Sequence, residues 1–239
     1  MSTLVIVDDN LDFVINLYNQ IVQLQIPKLQ VTCINSNGKE AINTIIKLKP
    51  DIVLLDLFLQ DISGIDVLDE FIKHKINTKI IVMSGYPDLI YKCHDKKYYN
   101  YIYKILAKPF NYKDLSTLLQ TLSIENNSKF LRTAIINQLN LLNFSHKSIG
   151  YNYLIDTISL ILERNYKSYN LEKDIYVQLS KQYKNVKAFQ IKWNIEKLIR
   201  TMYRDTNIHT LHNFFNTDED TKPTTKLIIN TVIDKCINS

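Results

Sequence analysis

Asp8 and Asp9 close the first aliphatic run of the chain, Leu4-Val5-Ile6-Val7, and Asp56 closes the third, Ile52-Val53-Leu54-Leu55. Ser84 and Lys108 stand at the ends of two later runs. A buried β run that stops on a polar residue places it at the carboxyl edge of a parallel sheet, where open α/β folds gather their ligands. Three carboxylates there repel one another unless a hard cation neutralises them. Mg²⁺ prefers oxygen donors and is held by one or two carboxylates together with phosphate and water. The predicted cofactor is therefore a divalent cation, Mg²⁺ ahead of Ca²⁺, held by Asp8, Asp9 and Asp56. Asp56 is placed to act as a nucleophile on a phosphoryl group. Ser84 offers a hydroxyl, and Lys108 an ammonium, to the phosphoryl oxygens. A lone Asp at a strand end is more often a helix cap; the whole set in this order is hard to obtain by chance.

Positioning these side chains requires strands that alternate with helices. Strands are expected at 3–7, 29–34, 51–55, 79–83 and 102–106. Helices are expected at Leu11–Gln25, Gly38–Leu48, Gly64–Lys75, Pro87–Lys97 and Tyr112–Thr121, the first capped by Asp9-Asn10. This alternation predicts an α/β fold, a doubly wound, flavodoxin-like parallel sheet of five strands. Unbroken aliphatics at Ile52–Leu55 and Ile80–Met83 fit strands covered on both faces. The polar stretch Ser123-Ile124-Glu125-Asn126-Asn127-Ser128-Lys129 reads as a linker. Beyond it the strand signal ends and helical periodicity takes over, with helices expected at 130–143, 150–164, 171–183, 187–203, 207–216 and 224–237. The predicted organisation is an α/β domain over 1–122, a linker over 123–129, and an all-α domain over 130–239.

The helices 171–183 and 187–203, joined by Lys184-Asn185-Val186, have helix-turn-helix proportions. In the later helix Ile191, Ile195, Leu198, Ile199 and Met202 form a stripe for the core. Gln190, Trp193, Asn194 and Lys197 share another face, with Lys187 at its start. Residues 184–204 carry six basic side chains (Lys184, Lys187, Lys192, Lys197, Arg200 and Arg204) against the single acid Glu196. Such a helix can read base edges with its amides while flanking Lys and Arg engage phosphates. The plainer reading is an amphipathic helix with a solvated basic side. Charge is also unevenly placed: residues 1–129 hold 14 Lys/Arg and 14 Asp/Glu, and residues 130–239 hold 15 and 10, the whole of the net +5. That asymmetry points the second half towards a polyanion. Cys33, Cys93 and Cys236 are too few and scattered for a disulfide framework or a zinc site and read as reduced packing residues. No apolar stretch has bilayer-spanning length, and Met1 leads into a strand without a signal region. The expectation is a cytoplasmic protein with no membrane partner.

These pieces carry two resemblances. Residues 3–121 resemble the receiver domain of bacterial two-component response regulators, through Val7-Asp8-Asp9-Asn10, Asp56 with Gly64 eight residues on, Val82-Met83-Ser84-Gly85 and Lys108-Pro109-Phe110. The resemblance implies that Asp56 is the phosphoacceptor and that the backbone carbonyl of Phe58 joins the metal ligands. It also implies that Ser84 and Lys108 couple phosphate to a conformational switch. Residues 130–239 resemble the effector domain of the stage-zero sporulation response regulators. That match runs through Ile149-Gly150-Tyr151-Asn152-Tyr153-Leu154, the helix-turn-helix, Asn213-Phe214-Phe215 and Thr221-Lys222-Pro223-Thr224. It implies a phosphorylation-activated, DNA-binding transcription factor of sporulation initiation, not an enzyme beyond assisting its own phosphotransfer. Implied partners are double-stranded DNA, a histidine kinase or phosphorelay phosphotransferase, and a second copy of the chain on phosphorylation.

The chain departs from both patterns. Leu59-Gln60 replaces the Met-Pro that usually follows the phosphoacceptor, and Lys96-Lys97-Tyr98-Tyr99-Asn100-Tyr101 replaces a Gly-Ala turn. Ile105 holds the place of the switch aromatic; Tyr103, two residues earlier and hence expected on the same strand face, is a candidate substitute. Gln190, Lys192 and Trp193 stand where the sporulation family carries an Arg-rich base-reading face. Gln190 can pair with adenine, and Trp193 is equally suited to pack against a partner subunit. A second reading follows from these departures: a diverged paralogue whose receiver dimerises or binds protein without phosphorylation.

Overall fold

The computed structural model describes residues 1–164, 166, 168–217 and 222–238; Thr221 of the Thr-Lys-Pro-Thr motif lies outside them. The chain divides into two compact units, Met1–Asn127 and Ser128–Ser239. The first is a parallel five-stranded sheet in the order β2-β1-β3-β4-β5. Its strands are β1 (Ser2–Val7), β2 (Leu29–Asn35), β3 (Ile52–Asp56), β4 (Lys79–Ser84) and β5 (Ile102–Ala107). They alternate with α1 (Leu11–Gln23), α2 (Gly38–Leu48), α3 (Gly64–Lys73), α4 (Pro87–Lys92) and the start of α5 (Tyr112–Leu139). Alternate side chains of each strand point to opposite faces. Leu4, Ile6, Ile52, Leu54, Ile81 and Met83 pack with Val14, Leu17, Ile21, Leu115 and Leu119 of α1 and α5. Val5, Val7, Val53, Leu55, Ile80 and Val82 pack with Ala41, Ile45, Val67, Leu68 and Phe71 of α2 and α3. Each fully buried aliphatic side chain contributes roughly 1.5–3 kcal/mol relative to exposure, so this two-sided covering fixes which strand ends lie together.

The sheet departs from regular alternation at β5. Ile80 pairs with Ile102 but Ile81 pairs with Lys104, so Tyr103 is an extra residue in a bulge. Beyond the bulge the period of two resumes, with Ile105 opposite Val82. Ile105 therefore packs with the α2–α3 side of the sheet, whereas Tyr103 packs with the α1–α5 side. The expectation that the two share a face is overturned, because the bulge shifts the alternation by one residue.

Two helical expectations also change. The expected helix Pro87–Lys97 stops at Lys92, and a 3-10 turn, Lys96–Tyr98, follows. Asp95 caps that turn by accepting the Lys97 N–H at 3.0 Å, and Tyr98 is carried into the core at 1% exposure. The stretch 123–129, read from the sequence as a linker, is helical within α5. Two of its polar side chains are bonded to backbone: Asn127 Nδ2 donates to the Ser123 carbonyl at 2.5 Å, and Ser123 Oγ to the Pro27 carbonyl at 2.9 Å, while the buried Asn126 Nδ2 has no partner.

The second unit is helical. Beyond the last turns of α5 it contains α6 (Ile149–Glu163), α7 (Tyr176–Gln182), α8 (Ala188–Asp205), α9 (Ile208–Phe215) and α10 (Thr225–Ile237). A π-helical turn, Leu171–Ile175, leads into α7 and is capped by the Asn170 side chain. The turn to α8 passes through Asn185 at φ 61°, a left-handed conformation that Asn tolerates better than most residues. Pro223 is buried, and the Thr224 hydroxyl accepts the Leu227 N–H at 3.1 Å, so the Lys-Pro-Thr motif seats and caps α10. Gly150 lets α6 and α8 meet closely: a Cβ there would lie 2.3 Å from the Asn194 carbonyl oxygen. Among the described residues, no helix is long and apolar enough to cross a membrane.

Candidate functional site

The carboxyl edge of the sheet gathers the predicted acidic residues. Asp8 follows β1 and Asp56 ends β3, adjacent strands in register from Leu4–Ile52 to Val7–Leu55. Asp8, Asp9 and Asp56 each offer a carboxylate oxygen, and these oxygens lie within 4.8 Å of one another. Asp8 is fully buried and Asp56 is 6% exposed. Lys108, just past β5, donates from Nζ to Asp8 Oδ2 at 2.6 Å and to Asp56 Oδ2 at 2.7 Å. Its ammonium also lies 4.3 Å from the centroid of the Phe13 ring on α1.

Backbone amides complete the carboxylate environment. Asn10 N–H donates to Asp8 Oδ1 at 3.0 Å, and Phe58 N–H donates to Asp56 Oδ1 at 3.2 Å. The expected cap of α1 is Asn10, whose Oδ1 accepts from Phe13 N–H at 3.0 Å, leaving the Asp8 and Asp9 carboxylates for the cluster. Gly64, at the start of α3, is required by close approach, since a Cβ there would lie 2.4 Å from the Asp56 carbonyl oxygen. Its N–H donates to the Leu57 carbonyl at 2.9 Å, tying the loop after Asp56 to α3.

Charge and burial oppose each other here. Burial pushes the Asp8 carboxyl above the usual range, against the hydrogen bond and positive charge of Lys108, and Asp56 adds repulsion in the same upward direction. For Lys108, burial disfavours the cation, but its bonds to Asp56 and Asp8 outweigh that cost and raise its pKa. A clustered set of hard oxygen donors with a single ammonium counter-charge is chemically suited to an oxygen-loving divalent cation. Asp8, Asp9 and Asp56 are the side chains that fit it.

Ser84, at the end of β4, is fully buried, and its carbonyl accepts the Lys108 N–H at 2.8 Å. Its hydroxyl oxygen accepts the Tyr86 N–H at 3.1 Å, which leaves the hydroxyl proton available for donation. Phe58 and Tyr86 stack with centroids 4.7 Å apart beside the cleft. The cleft measures about 460 Å³ and is lined by Asp8, Asp9, Asp56, Phe58, Tyr86 and Lys108 among others. Sequence reasoning missed Phe13 and Tyr86, since their part is set by through-space contacts rather than strand-end position; Phe13 follows the Asn10 cap by three residues, a weak signal.

The switch candidates separate. Tyr103 lies beneath the Lys79 ammonium, 5.4 Å from its ring centroid, while Ile105 faces the opposite layer. A buried aromatic on the Ile105 side is Tyr98, whose hydroxyl donates to Asp69 Oδ1 at 2.8 Å; Lys97 Nζ reaches the same oxygen at 2.7 Å.

In the helical unit, the predicted stripe of Ile191, Ile195, Leu198, Ile199 and Met202 is buried. Lys187, Gln190, Trp193, Lys197, Arg200 and Arg204 are exposed, and Lys192 and Asn194 are half-buried. Lys192 Nζ is drawn to Glu172 Oε1 at 2.6 Å, and Arg204 Nε to Asp205 Oδ1 at 2.7 Å. Gln190 Oε1 accepts the Lys187 N–H at 2.8 Å, and Asn194 Nδ2 donates to the Gln190 carbonyl at 2.7 Å.

Residues 4–120 match the family described as response regulator receiver domain, and residues 134–236 match sporulation initiation factor Spo0A C terminal. Chemotaxis protein CheY of Thermotoga maritima is 45% identical over 50 residues, covering 21% of this chain and 42% of that protein. Regulatory protein AtoC of Escherichia coli is 28% identical over 133 residues, covering 55% of this chain and 28% of that protein. The matches thus span less than half the length of these relatives. The solved response regulator TrrA of Thermotoga maritima, in complex with Mg²⁺ and BeF, is 24% identical with a TM-score of 0.43, covering 51% of this chain and 99% of that one. Both matched families are regulatory rather than enzymatic. The chain therefore carries a response-regulator receiver domain followed by a Spo0A-type C-terminal domain, the two-domain make-up of the stage-zero sporulation response regulators.

Proposed function

We propose that Asp56 is the phosphoacceptor and that its phosphorylation controls binding of double-stranded DNA by the helix-turn-helix. The observation carrying this reading is the Lys108 ammonium spanning Asp8 and Asp56 at 2.6 and 2.7 Å, within a cluster of three carboxylates. Asp8, Asp9, Asp56 and the backbone carbonyl of Phe58 would hold the divalent cation, Mg²⁺ ahead of Ca²⁺. When bound, the cation screens the carboxylates and the incoming phosphoryl oxygens from one another. An Asp56 oxygen then forms the bond to phosphorus as the bond from phosphorus to the donor breaks. Lys108 and the Ser84 hydroxyl take up the phosphoryl oxygens, and Lys108 exchanges a carboxylate partner for one of them. This redistribution biases a pre-existing equilibrium in the receiver towards a dimerising form. The phosphoryl donor is a histidine kinase or phosphorelay phosphotransferase, the setting is the cytoplasm, and the output is control of genes of sporulation initiation.

Acetyl phosphate with Mg²⁺ is expected to shift the chain from monomer to dimer by light scattering, and Asp56→Asn to abolish the shift. A normal shift in Asp56→Asn would sink the mechanism. The bulge that puts Tyr103 and Ile105 on opposite faces supports a second reading, a receiver that dimerises without phosphorylation. Beryllofluoride with Mg²⁺ separates the two: an unchanged mass favours the second.

A further inference from the structure

The outward face of α8 is built differently at its two ends. At about 100° per residue, Phe189, Gln190, Trp193, Lys197, Arg200 and Arg204 fall within one arc of the helix, opposite the buried stripe. Phe189 is 64% exposed and Trp193 53%, a costly display of aromatic surface on a helix whose other face packs fully. The cations of that arc lie in its second half, and Lys187 precedes the helix at its N-cap. Lys192, the cation within the first two turns, is held by Glu172 on the preceding π turn.

Recognition helices present their N-terminal residues to base edges. Guanine is read by Arg or Lys at O6 and N7, adenine by a Gln or Asn amide at N6 and N7, and thymine by apolar contact with its methyl group. The first two turns of α8 have no free Arg or Lys on the exposed arc. They have one fully exposed amide: Asn194 is half-buried and spends one Nδ2 proton on the Gln190 carbonyl, while Gln190 is exposed, has its Oε1 oriented by the Lys187 N–H, and keeps its Nε2 donors and a second lone pair. We infer that α8 reads A·T base pairs in the major groove, with Gln190 addressing adenine, Phe189 and Trp193 seated against thymine methyl groups, and Lys197 and Arg200 on phosphates. The Lys197 ammonium, 5.1 Å from the Trp193 ring centroid, steadies the indole for that contact. This assignment rests on the proposed DNA binding and specifies what the helix reads.

The test uses the full chain, untreated and treated with acetyl phosphate. Selection from a random duplex pool is expected to enrich an A·T-rich core. In anisotropy titrations, replacing a contacted dT by deoxyuridine removes only the methyl group and is expected to weaken binding about fourfold per methyl. The Phe189→Ala/Trp193→Ala variant is expected to bind both duplexes equally, and Gln190→Ala to lose about tenfold preference for adenine. Enrichment of a G·C core, or equal binding of the dT and deoxyuridine duplexes by the wild-type chain, overturns the assignment while leaving DNA binding intact. Failure to bind any duplex in either state overturns the DNA-binding reading itself. The deoxyuridine comparison needs only wild-type protein, so it holds whether or not a variant folds.

Discussion

Asp8 shows most directly how this site trades stability for chemistry. Its carboxylate is fully buried beside Asp56, and the Lys108 bond does not fully compensate, since its pKa remains raised. A carboxyl raised in the folded state contributes stability that is present below its unfolded pKa and is lost as pH rises through the folded one. Wherever the Asp8 carboxyl is ionised, the cation-free fold bears a charge that its burial disfavours. Asp8→Asn is expected to raise the urea midpoint in chelator by roughly 0.5–2 kcal/mol of stability, an advantage that shrinks on acidification. The same variant is expected to lose the Mg²⁺-dependent stabilisation that mass action gives the wild type. Equal midpoints in chelator at neutral pH would show that Lys108 fully neutralises the site. Asp8, Asp9, Asp56 and Lys108 were legible in the sequence because each ends a hydrophobic run, and strand ends of a parallel sheet converge. The Phe13 ring under Lys108 and the Phe58–Tyr86 stack were not, because those contacts depend on side-chain directions across separate loops.

Among the elements, alternation of hydrophobic runs with helical periods made all five strands and most helices readable, and the order of residues at strand ends followed. What escaped were places where one residue changes the phase or a side chain satisfies the backbone locally. The extra residue at Tyr103 inverts the face of everything before it on β5, and no hydrophobic pattern marks it, since Tyr101, Ile102, Tyr103 and Ile105 suit either face. Asp95 opens a 3-10 turn three residues after α4 ends at Lys92, while Asn127 and Ser123 form side-chain bonds within a loop-like composition that stays helical. Gly150, marked in the sequence only by a family-like string, has a clear physical role, because its missing Cβ lets α6 meet the backbone of α8. Gly150→Ala places a Cβ 2.3 Å from the Asn194 oxygen and 3.2 Å from Leu198 Cβ, so the two helices must part. The expected cost is about 1–3 kcal/mol, read as a lower melting temperature. Displacement of α8 is expected to weaken DNA binding while the beryllofluoride response of the receiver persists. Unchanged DNA affinity would mean that the α6–α8 packing does not set the reading face.

For the whole molecule, the division of charge sets how input and output combine. The charge-balanced half holds the acidic site, and the half carrying the net +5 holds α8, the proposed reading helix. The proposed dimer would thus present two basic modules to one duplex without adding a new DNA contact. Once one module is bound, the second meets its half-site at an effective concentration set by the tether, and avidity exceeds single-module affinity by about 10²–10⁴. Acetyl phosphate is therefore expected to raise affinity by that order on a duplex with two half-sites, and to leave affinity for a single half-site nearly unchanged. Each phosphate neutralised contributes about −0.9 to the slope of log K against log salt. The two-site slope of the phosphorylated chain should accordingly be about twice the single-site slope, and removing Arg200 should flatten it by about two phosphate contacts per dimer, one from each copy. Titrations of both duplexes at several salt concentrations, with wild type and Asp56→Asn, measure this directly. A phosphorylation-dependent gain of equal size on the single half-site would instead mean that the input acts within one chain, on the affinity of α8 itself.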